Sequence, residues 1–194
     1  MRHPHLLDRS RTALVLVDLQ EGYRPVLHAW ERVAMACGLL LRGARILGVP
    51  LIVTEQYPRG VGHTASEVAA LFPPNLTIVE KMTMSCCGAA AFMEQLRATG
   101  CRHVLLAGIE THACINQTVH DLLGAGYQVH LARDATSSRR ANDVGPAWAK
   151  MCAAGMLPTS SEQALLELVQ SAEAAEFKPL QRLLKETVLP DDPR

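Results

Sequence analysis

Short apolar runs rich in β-branched residues recur along the chain and alternate with longer helix-like stretches. The first run, T-A-L-V-L-V at 12–17, ends at Asp18, as expected of a strand that is buried on both faces of a parallel sheet. Similar runs follow at 51–54, 76–79, 103–107 and 127–131. Helix-like stretches lie between them, at about 28–47, 89–98, 113–124 and 142–154, and a further helix is predicted from about Ser161, after M-L-P-T.

This alternation predicts a parallel sheet that is covered on both faces by helices and built with right-handed crossovers. We therefore predict a three-layer α/β/α, doubly wound, Rossmann-like fold with a mainly parallel sheet of about six strands in the order 3-2-1-4-5-6. Gly48, Gly100 and Gly126 each come just before a predicted strand, where a helix ends most easily on a left-handed residue. Ser160 or Ser161 is expected to cap the last of these helices.

The segment 55–75 interrupts the alternation. It contains three prolines and two glycines, which favour a loop over the sheet rather than a helix. Long loops in compact domains often act as lids, so we expect this segment to lie over the site and to contribute to specificity.

The composition limits the classes of partner. A chain of 194 residues fits a single domain, 1–194. Nineteen Lys plus Arg balance nineteen Asp plus Glu, so the charge recruits neither nucleic acid nor an anionic membrane, and we expect a small-molecule substrate. No apolar run reaches the roughly 18 residues of a membrane span. Six cysteines in this length do not resemble a secreted disulfide framework, which predicts reduced thiols and a cytoplasmic location.

Three polar residues lie at or just beyond the carboxyl ends of predicted strands, where open parallel sheets bind ligands. Asp18 closes the first strand, Lys81 follows the third, and Cys114 begins the helix after the fourth. A helix N-terminus and a nearby ammonium both favour the thiolate. We predict Cys114 as the nucleophile, Asp18 as the acid and base, and Lys81 as the group that tunes both and helps to orient the substrate.

Each of these residues has a simpler interpretation when it is taken alone. A cysteine at a helix start is usually a small buried hydrophobe, an aspartate after a strand is usually a turn residue, and a lysine there is usually solvated. Their joint placement at three strand ends is what favours catalysis. The backbone N–H groups of Glu110 and Cys114 lie in the strand-to-helix turn and are candidate oxyanion donors.

The sequence resembles the isochorismatase-like cysteine hydrolase superfamily, which includes isochorismatases, nicotinamidases and N-carbamoylsarcosine amidohydrolases. The resemblance covers about 12–186, and its most specific motifs are L-V-L-V-D-L-Q at 14–20, V-E-K-M-T at 79–83, G-I-E-T-H-A-C at 108–114 and the predicted turn R-D-A-T-S-S-R at 133–139. It implies a triad of Asp18, Lys81 and Cys114. It also implies a cis peptide between Ile109 and Glu110 that presents the Glu110 N–H to the oxyanion, and a homo-oligomer.

Within this superfamily, T-E-Q-Y-P-R-G at 54–60 is similar to the isochorismatase-domain hydrolases of unsettled substrate. Nicotinamidases carry an Asp-x-His metal motif where this chain has Glu55-Gln56-Tyr57, so the comparison disfavours nicotinamidase activity and zinc. His112, Cys114 and His120 lack the second ligand pair of a structural zinc site. We therefore predict no metal and no cofactor.

Loop residues at the same end of the sheet are candidates for contact with the substrate, namely Gln20, Tyr23, Gln56, Tyr57 and His112. The leading prediction is hydrolysis of a small amide or a related C–N substrate through a covalent intermediate on Cys114. Two alternatives stay open. One is isochorismatase-type vinyl ether hydrolysis with Asp18 as general acid, and the other is a non-catalytic oligomeric binding protein.

Overall fold

Six strands form one parallel sheet in the computed structural model, which describes residues 2–191. Their order is β3-β2-β1-β4-β5-β6, so the predicted fold class and strand order are confirmed. The prediction of a single domain over 1–194 includes positions 1 and 192–194, which lie outside the described residues. The strands are β1 Thr12–Val17, β2 Leu51–Gln56, β3 Val79–Lys81, β4 His103–Ile109, β5 Gln128–Ser137 and β6 Leu157–Thr159.

Helices cover both faces of this sheet. On one face α1 packs against α7 and α8, and on the other lie α4, α5 and α6. A single turn of π-helix, Thr111–Ile115, leads directly into α5. The helices are α1 Trp30–Leu47, α2 Pro58–Val61, α3 Ser66–Ala69, α4 Ala90–Ala98, α5 Asn116–Gly124, α6 Ala141–Ala153, α7 Ser161–Val169 and α8 Phe177–Glu186.

The central strand β1 shows why these apolar runs are strands. Every residue of β1 is buried, and successive side chains enter opposite layers, since Leu14 and Leu16 join the α1 side while Val15 and Val17 join the α4–α5 side. An apolar run without alternation is what a strand covered on both faces requires. β1 pairs with β2 on one side and with β4 on the other, and its carboxyl end therefore lies at the centre of the sheet.

Three segments differ from the sequence-based expectation. β3 begins at Val79 rather than at 76, because it pairs only with the last residues of β2. β5 continues to Ser137, so most of the predicted turn at 133–139 is strand, and Thr136 and Ser137 pair with the end of β4 after a register shift. The segment 55–75 begins inside β2 and contains two short helices, of which α2 has a proline in its first turn.

The predicted helix ends are confirmed. Gly48, Gly100 and Gly126 have φ angles of 67°, 69° and 82°, the left-handed conformation that glycine adopts without penalty. Ser160 caps α7 by accepting a hydrogen bond from the Gln163 N–H. Among residues 2–191, no helix has the length and apolarity that crossing a membrane requires.

Candidate active site

The carboxyl ends of β1, β3 and β4 bring Asp18, Lys81 and Cys114 to one place. Asp18 follows β1, Lys81 is the last residue of β3, and Cys114 lies in the π-helix after β4. All three are buried, with 1%, 3% and 6% of their surfaces exposed. β3 is separated from β1 by β2, and the long Lys81 side chain spans this gap to place its Nζ atom 2.7 Å from Asp18 Oδ2.

The Lys81 ammonium is fully engaged by the protein. Besides Asp18 Oδ2, its Nζ atom has Gln56 Oε1 at 2.6 Å, Met84 O at 3.1 Å and Thr83 O at 3.2 Å. These four acceptors exceed the three N–H donors of an ammonium group. Burial works against its charge, but the Asp18 carboxylate together with Cys86 and Cys114 outweighs burial and raises the pKa of Lys81. Lys81 therefore holds Asp18 through this ion pair, and it has no donor left with which to orient a substrate as the sequence suggested.

The Cys114 thiol lies beside this ion pair. Its Sγ atom is 4.0 Å from Gln56 Oε1, and it interacts with both Asp18 and Lys81. Burial and then the Asp18 carboxylate raise the pKa of Cys114 to about 12, while Lys81 acts in the opposite direction. The sequence favoured a thiolate, but the structure gives a protonated resting thiol. A base must therefore remove the proton as the sulfur attacks.

Gln20 and Gln56, both predicted to contact the substrate, instead bond to the protein. Gln20 Oε1 accepts from the Gln56 N–H at 2.8 Å, and Gln20 Nε2 donates to Gln56 O at 3.0 Å. Gln56 in turn directs its Oε1 to Lys81 and its Nε2 to Met82 O at 3.0 Å. This arrangement fixes the end of β2 and the ammonium together, so these two side chains are better described as supports of the site.

The turn after β4 contains the cis peptide between Ile109 and Glu110. The Glu110 carboxylate accepts hydrogen bonds from Arg139 N at 2.9 Å and from Arg139 Nε at 3.1 Å. It therefore has a different function from the Glu110 N–H, which was considered as an oxyanion donor. His112 Nδ1 lies 3.0 Å from Ser138 Oγ. These contacts join the turn to the end of β5, so both candidate oxyanion donors lie on a segment that is fixed at its base.

Tyr23 and Tyr57 lie in the segments that follow β1 and β2. Burial, followed by the charges of Glu110 and Cys114, raises the pKa of Tyr23, which places this half-buried phenol on the side of the nucleophile. Tyr57 is 47% exposed, and its N–H donates to Lys81 O at 2.9 Å. Tyr23 therefore interacts with the nucleophile through its side chain, whereas Tyr57 contacts Lys81 through its backbone.

Glu55 occupies the place where nicotinamidases carry the first residue of a metal motif. Its carboxylate accepts from the N–H and hydroxyl of Thr64, each at 2.7 Å, and pairs with His63 Nδ1 at 2.9 Å. It thus anchors the segment that carries α2 and α3. Within residues 2–191, no group of three or more His, Cys, Asp or Glu side chains is arranged to hold a metal ion.

The sequence reasoning did not identify Thr54 or Cys86 as residues near the site. Thr54 Oγ1 donates to Asp18 Oδ1 at 2.6 Å, and Cys86 Sγ lies 3.7 Å from the same hydroxyl. The available signal was a hydroxyl residue at the end of the apolar run L-I-V-T. Cys86 is fully buried, and, like the other five cysteines, it is a free thiol. Strand order and buried side chains thus define a doubly wound α/β protein whose candidate site lies at the switch point of its sheet.

Comparison with known proteins identifies the family. A family model described as "Isochorismatase domain" matches residues 12–163. "Isochorismatase domain-containing protein 1" of Salmo salar is 40% identical over 176 residues, which is 91% of this chain and 62% of that protein. "Isochorismatase domain-containing protein 2A" of Mus musculus is 40% identical over 90% of this chain and 83% of that protein. The chain belongs to the isochorismatase family, which confirms the resemblance, and it spans 62% of the length of the first of these relatives.

Solved structures agree with this assignment. One described as "MAR1 Ribonuclease" from Caenorhabditis elegans has a TM-score of 0.91 at 36% identity and covers 96% of this chain and 95% of that one. The YCAC gene product of Escherichia coli, described as an octameric hydrolase of unknown specificity, has a TM-score of 0.86 at 21% identity over 94% of this chain and 92% of that one. At 21% identity the second likeness concerns the fold alone.

Proposed function

We propose that this chain is a cysteine-dependent hydrolase of a small amide or a related C–N substrate, with Cys114 as the nucleophile. The observation that carries the proposal is the placement of one buried carboxylate, Asp18, between an ammonium at 2.7 Å and a protonated thiol. A fixed, ionised base beside a thiol of raised pKa is what attack by a neutral thiol requires. A buried ion pair contributes little net stability by itself, which favours a functional role for these groups.

The steps follow from the residues in place. Cys114 Sγ bonds to the substrate carbonyl carbon while its proton passes to Asp18, and the carbonyl oxygen becomes an oxyanion that the N–H groups of Glu110 and Cys114 stabilise. Asp18 returns the proton to the leaving nitrogen as the C–N bond breaks, which leaves a thioester. A water molecule then gives a proton to Asp18 and attacks the thioester carbon. The proton returns to Sγ as the C–S bond breaks, so the thiol is regenerated and an acid is released.

Vinyl ether hydrolysis is the second candidate, and one observation favours it. A thiol with a pKa of about 12 is a weak nucleophile at rest, whereas ether cleavage needs only a general acid. That acid would have to be Asp18, however, and the Lys81 ammonium at 2.7 Å pairs with its ionised form. The contact with Lys81 therefore favours the amide proposal over the ether one.

The experiment compares wild type with Cys114→Ala and with Cys152→Ala, which removes another thiol as a matched control. Ammonia release is measured for a panel of primary amides, and product formation is measured for isochorismate and for a single-stranded RNA. We expect amide turnover that Cys114→Ala abolishes and Cys152→Ala preserves. Unchanged amide turnover in Cys114→Ala refutes the thioester route. Isochorismate cleavage that survives Cys114→Ala but not Asp18→Asn establishes the ether route, and no turnover with any substrate favours a binding protein.

We further propose that the protein works on small molecules rather than on nucleic acid or membranes, as a homo-oligomer in the cytoplasm. The balanced charge of 19 basic and 19 acidic residues supports the first part. The ribonuclease description belongs to the structure from Caenorhabditis elegans, and the RNA arm of the experiment tests whether it extends to this chain. Size-exclusion chromatography with light scattering tests the oligomer.

A further inference from the structure

Two buried residues outside the trio are connected to Asp18: Thr54 contacts it directly, and Cys86 contacts Thr54. Thr54, the fourth residue of β2, is fully buried, and its hydroxyl lies 2.6 Å from Asp18 Oδ1, whereas Lys81 takes the other oxygen, Oδ2. The Asp18 N–H also donates to Thr54 O at 3.1 Å. Asp18 is thus held by Thr54 through both its backbone and its side chain, and each carboxylate oxygen has its own partner.

The available donors determine the direction of the hydrogen bonds from Cys86 through Thr54 to Asp18. An ionised carboxylate can only accept, and a threonine hydroxyl has one hydrogen, so Thr54 donates that hydrogen to Asp18. The thiol of Cys86, 3.7 Å from Thr54 Oγ1, must therefore be the donor in the second contact. Burial raises the pKa of Cys86 to about 12, which keeps the hydrogen on its sulfur at neutral pH.

Cys86 also contacts α5, the helix that follows the nucleophile. The Cys86 N–H donates to Thr118 Oγ1 at 2.9 Å. Thr118 lies in α5, which continues directly from the π-helix that contains Cys114. A buried polar path, which we call the rear chain, thus runs from Asp18 through Thr54 and Cys86 to Thr118.

We propose that Thr54 and Cys86 are positioning residues of the site, which direct Asp18 Oδ2 toward Lys81 and the Cys114 thiol by occupying Asp18 Oδ1. Thr54 acts on the carboxylate directly, and Cys86 acts only through Thr54. The proposal rests on the proposed role of Asp18 as the base for Cys114. Without the rear chain, the carboxylate can rotate about its Cβ–Cγ bond, and the oxygen that receives the proton is no longer fixed.

The test uses acrylamide, whose addition to a thiol needs no turnover. Sγ bonds to the terminal carbon of the C=C bond, and the thiol proton leaves the sulfur and is delivered to the carbon next to the carbonyl. The second-order rate at Cys114 is measured at pH 7.5 by mass spectrometry of the peptide that contains it. Adduct formation does not require amide cleavage. The rate of addition to Cys114 can therefore be interpreted even if the protein hydrolyses no amide.

Thr54→Val removes the hydroxyl at nearly constant volume, and we expect the Cys114 rate to fall roughly tenfold, as loss of a hydrogen bond to a charged group implies. Thr54→Ser keeps the donor and should restore the rate to within about threefold of wild type. Cys86→Ala should slow addition by a smaller factor, and Cys86→Ser should recover it. Cys87→Ala, which removes the adjacent thiol outside the rear chain, serves as the matched control.

The double variant Thr54→Val/Cys86→Ala separates positioning from packing. If Cys86 acts only through Thr54, the double variant reacts at the rate of Thr54→Val alone. A rate for Thr54→Val within twofold of wild type overturns the proposal, and so do single-variant effects on the rate that multiply in the double variant. Should Thr54→Val not fold, equal rates for Cys86→Ala and Cys86→Ser overturn it instead.

Discussion

Replacing Lys81 with methionine removes an ammonium that has no exposed side-chain surface and leaves the Asp18 carboxylate, itself 2% exposed, without its counter-ion. Removing one partner of a buried ion pair typically costs about 3 to 5 kcal/mol, because the remaining charge stays desolvated. The loss of the ammonium also frees Gln56 Oε1 and two carbonyl oxygens. For a chain of this size, the midpoint of thermal unfolding should fall by roughly 6 to 20 °C.

The assay is thermal and guanidinium unfolding followed by circular dichroism. Lys81→Met/Asp18→Asn removes both charges, so it should recover a large part of the loss. Lys185→Met, at an exposed position of α8, is the matched control and should change the free energy of unfolding by less than about 0.5 kcal/mol. The reasoning is refuted if Lys81→Met loses less than about 1 kcal/mol, or if the double variant is no more stable than the single one.

Three further predictions concern the sheet, a buried histidine and the thiol. Gly108 has φ 111° and faces Val17, whose carbonyl oxygen would overlap with an added Cβ atom, so Gly108→Ala should lower the free energy of unfolding by more than about 2 kcal/mol, as unfolding in guanidinium will measure. Burial lowers the pKa of His130 to about 4 in the folded protein. Because this pKa lies below the value of about 6.5 in the unfolded chain, the free energy of unfolding decreases as pH falls from about 6.5 toward 4. Urea unfolding at pH 7.5 and 5 should show a smaller loss for His130→Asn than for wild type, and equal losses would contradict this assignment. Because the pKa of Cys114 is about 12, its alkylation by iodoacetamide should accelerate up to pH 10 without a plateau, and a plateau below pH 9 would refute the raised value.

Local pattern was sufficient for the strand order but not for every strand boundary. The run at 12–17 can be recognised as a strand from sequence because both faces of β1 are buried, so all of its residues are apolar or small rather than alternately apolar and polar. β3 and the extension of β5 depend on pairing with residues far along the chain. Thr136 and Ser137 carry no apolar signal, and they are strand residues because β4 offers them partners. Such non-local pairing cannot be read from a window of sequence.

In the site, too, some features follow from the local sequence pattern and others depend on residues far apart in the chain. Asp18, Lys81 and Cys114 could be predicted because strand order alone brings their backbones to one edge of the sheet. The acceptors around Lys81 and the contact of Thr54 with Asp18 depend on side-chain directions and distances, which spacing along the chain does not encode. The sequence also favoured a lowered pKa for the Cys114 thiol, whereas burial, which spacing along the chain does not encode, outweighs the Lys81 ammonium and raises it.

Engagement of the inner polar groups has a consequence for substrate recognition. Gln20, Gln56 and Lys81 direct their polar atoms to one another or to the backbone, so a substrate that reaches the thiol meets no free donor from them. We expect selection among substrates to depend on the surrounding residues, where His112 contacts Ser138 Oγ through its ring Nδ1 and its backbone N–H. His112 also lines a cavity of about 240 Å³ together with Arg139, Arg140 and Asp143.

Reactivity and selectivity are then carried by different layers of one site. Substitutions among the buried groups should change the rate for every substrate by similar factors, because they act on the proton transfer that all substrates share. Substitutions among the surrounding residues, such as His112→Ala, should change the ratio of rates between two amides. That pattern can be measured with any pair of amides that the wild-type protein hydrolyses, and a buried variant that alters their ratio as strongly as a variant of a surrounding residue would show that the two layers are not separate.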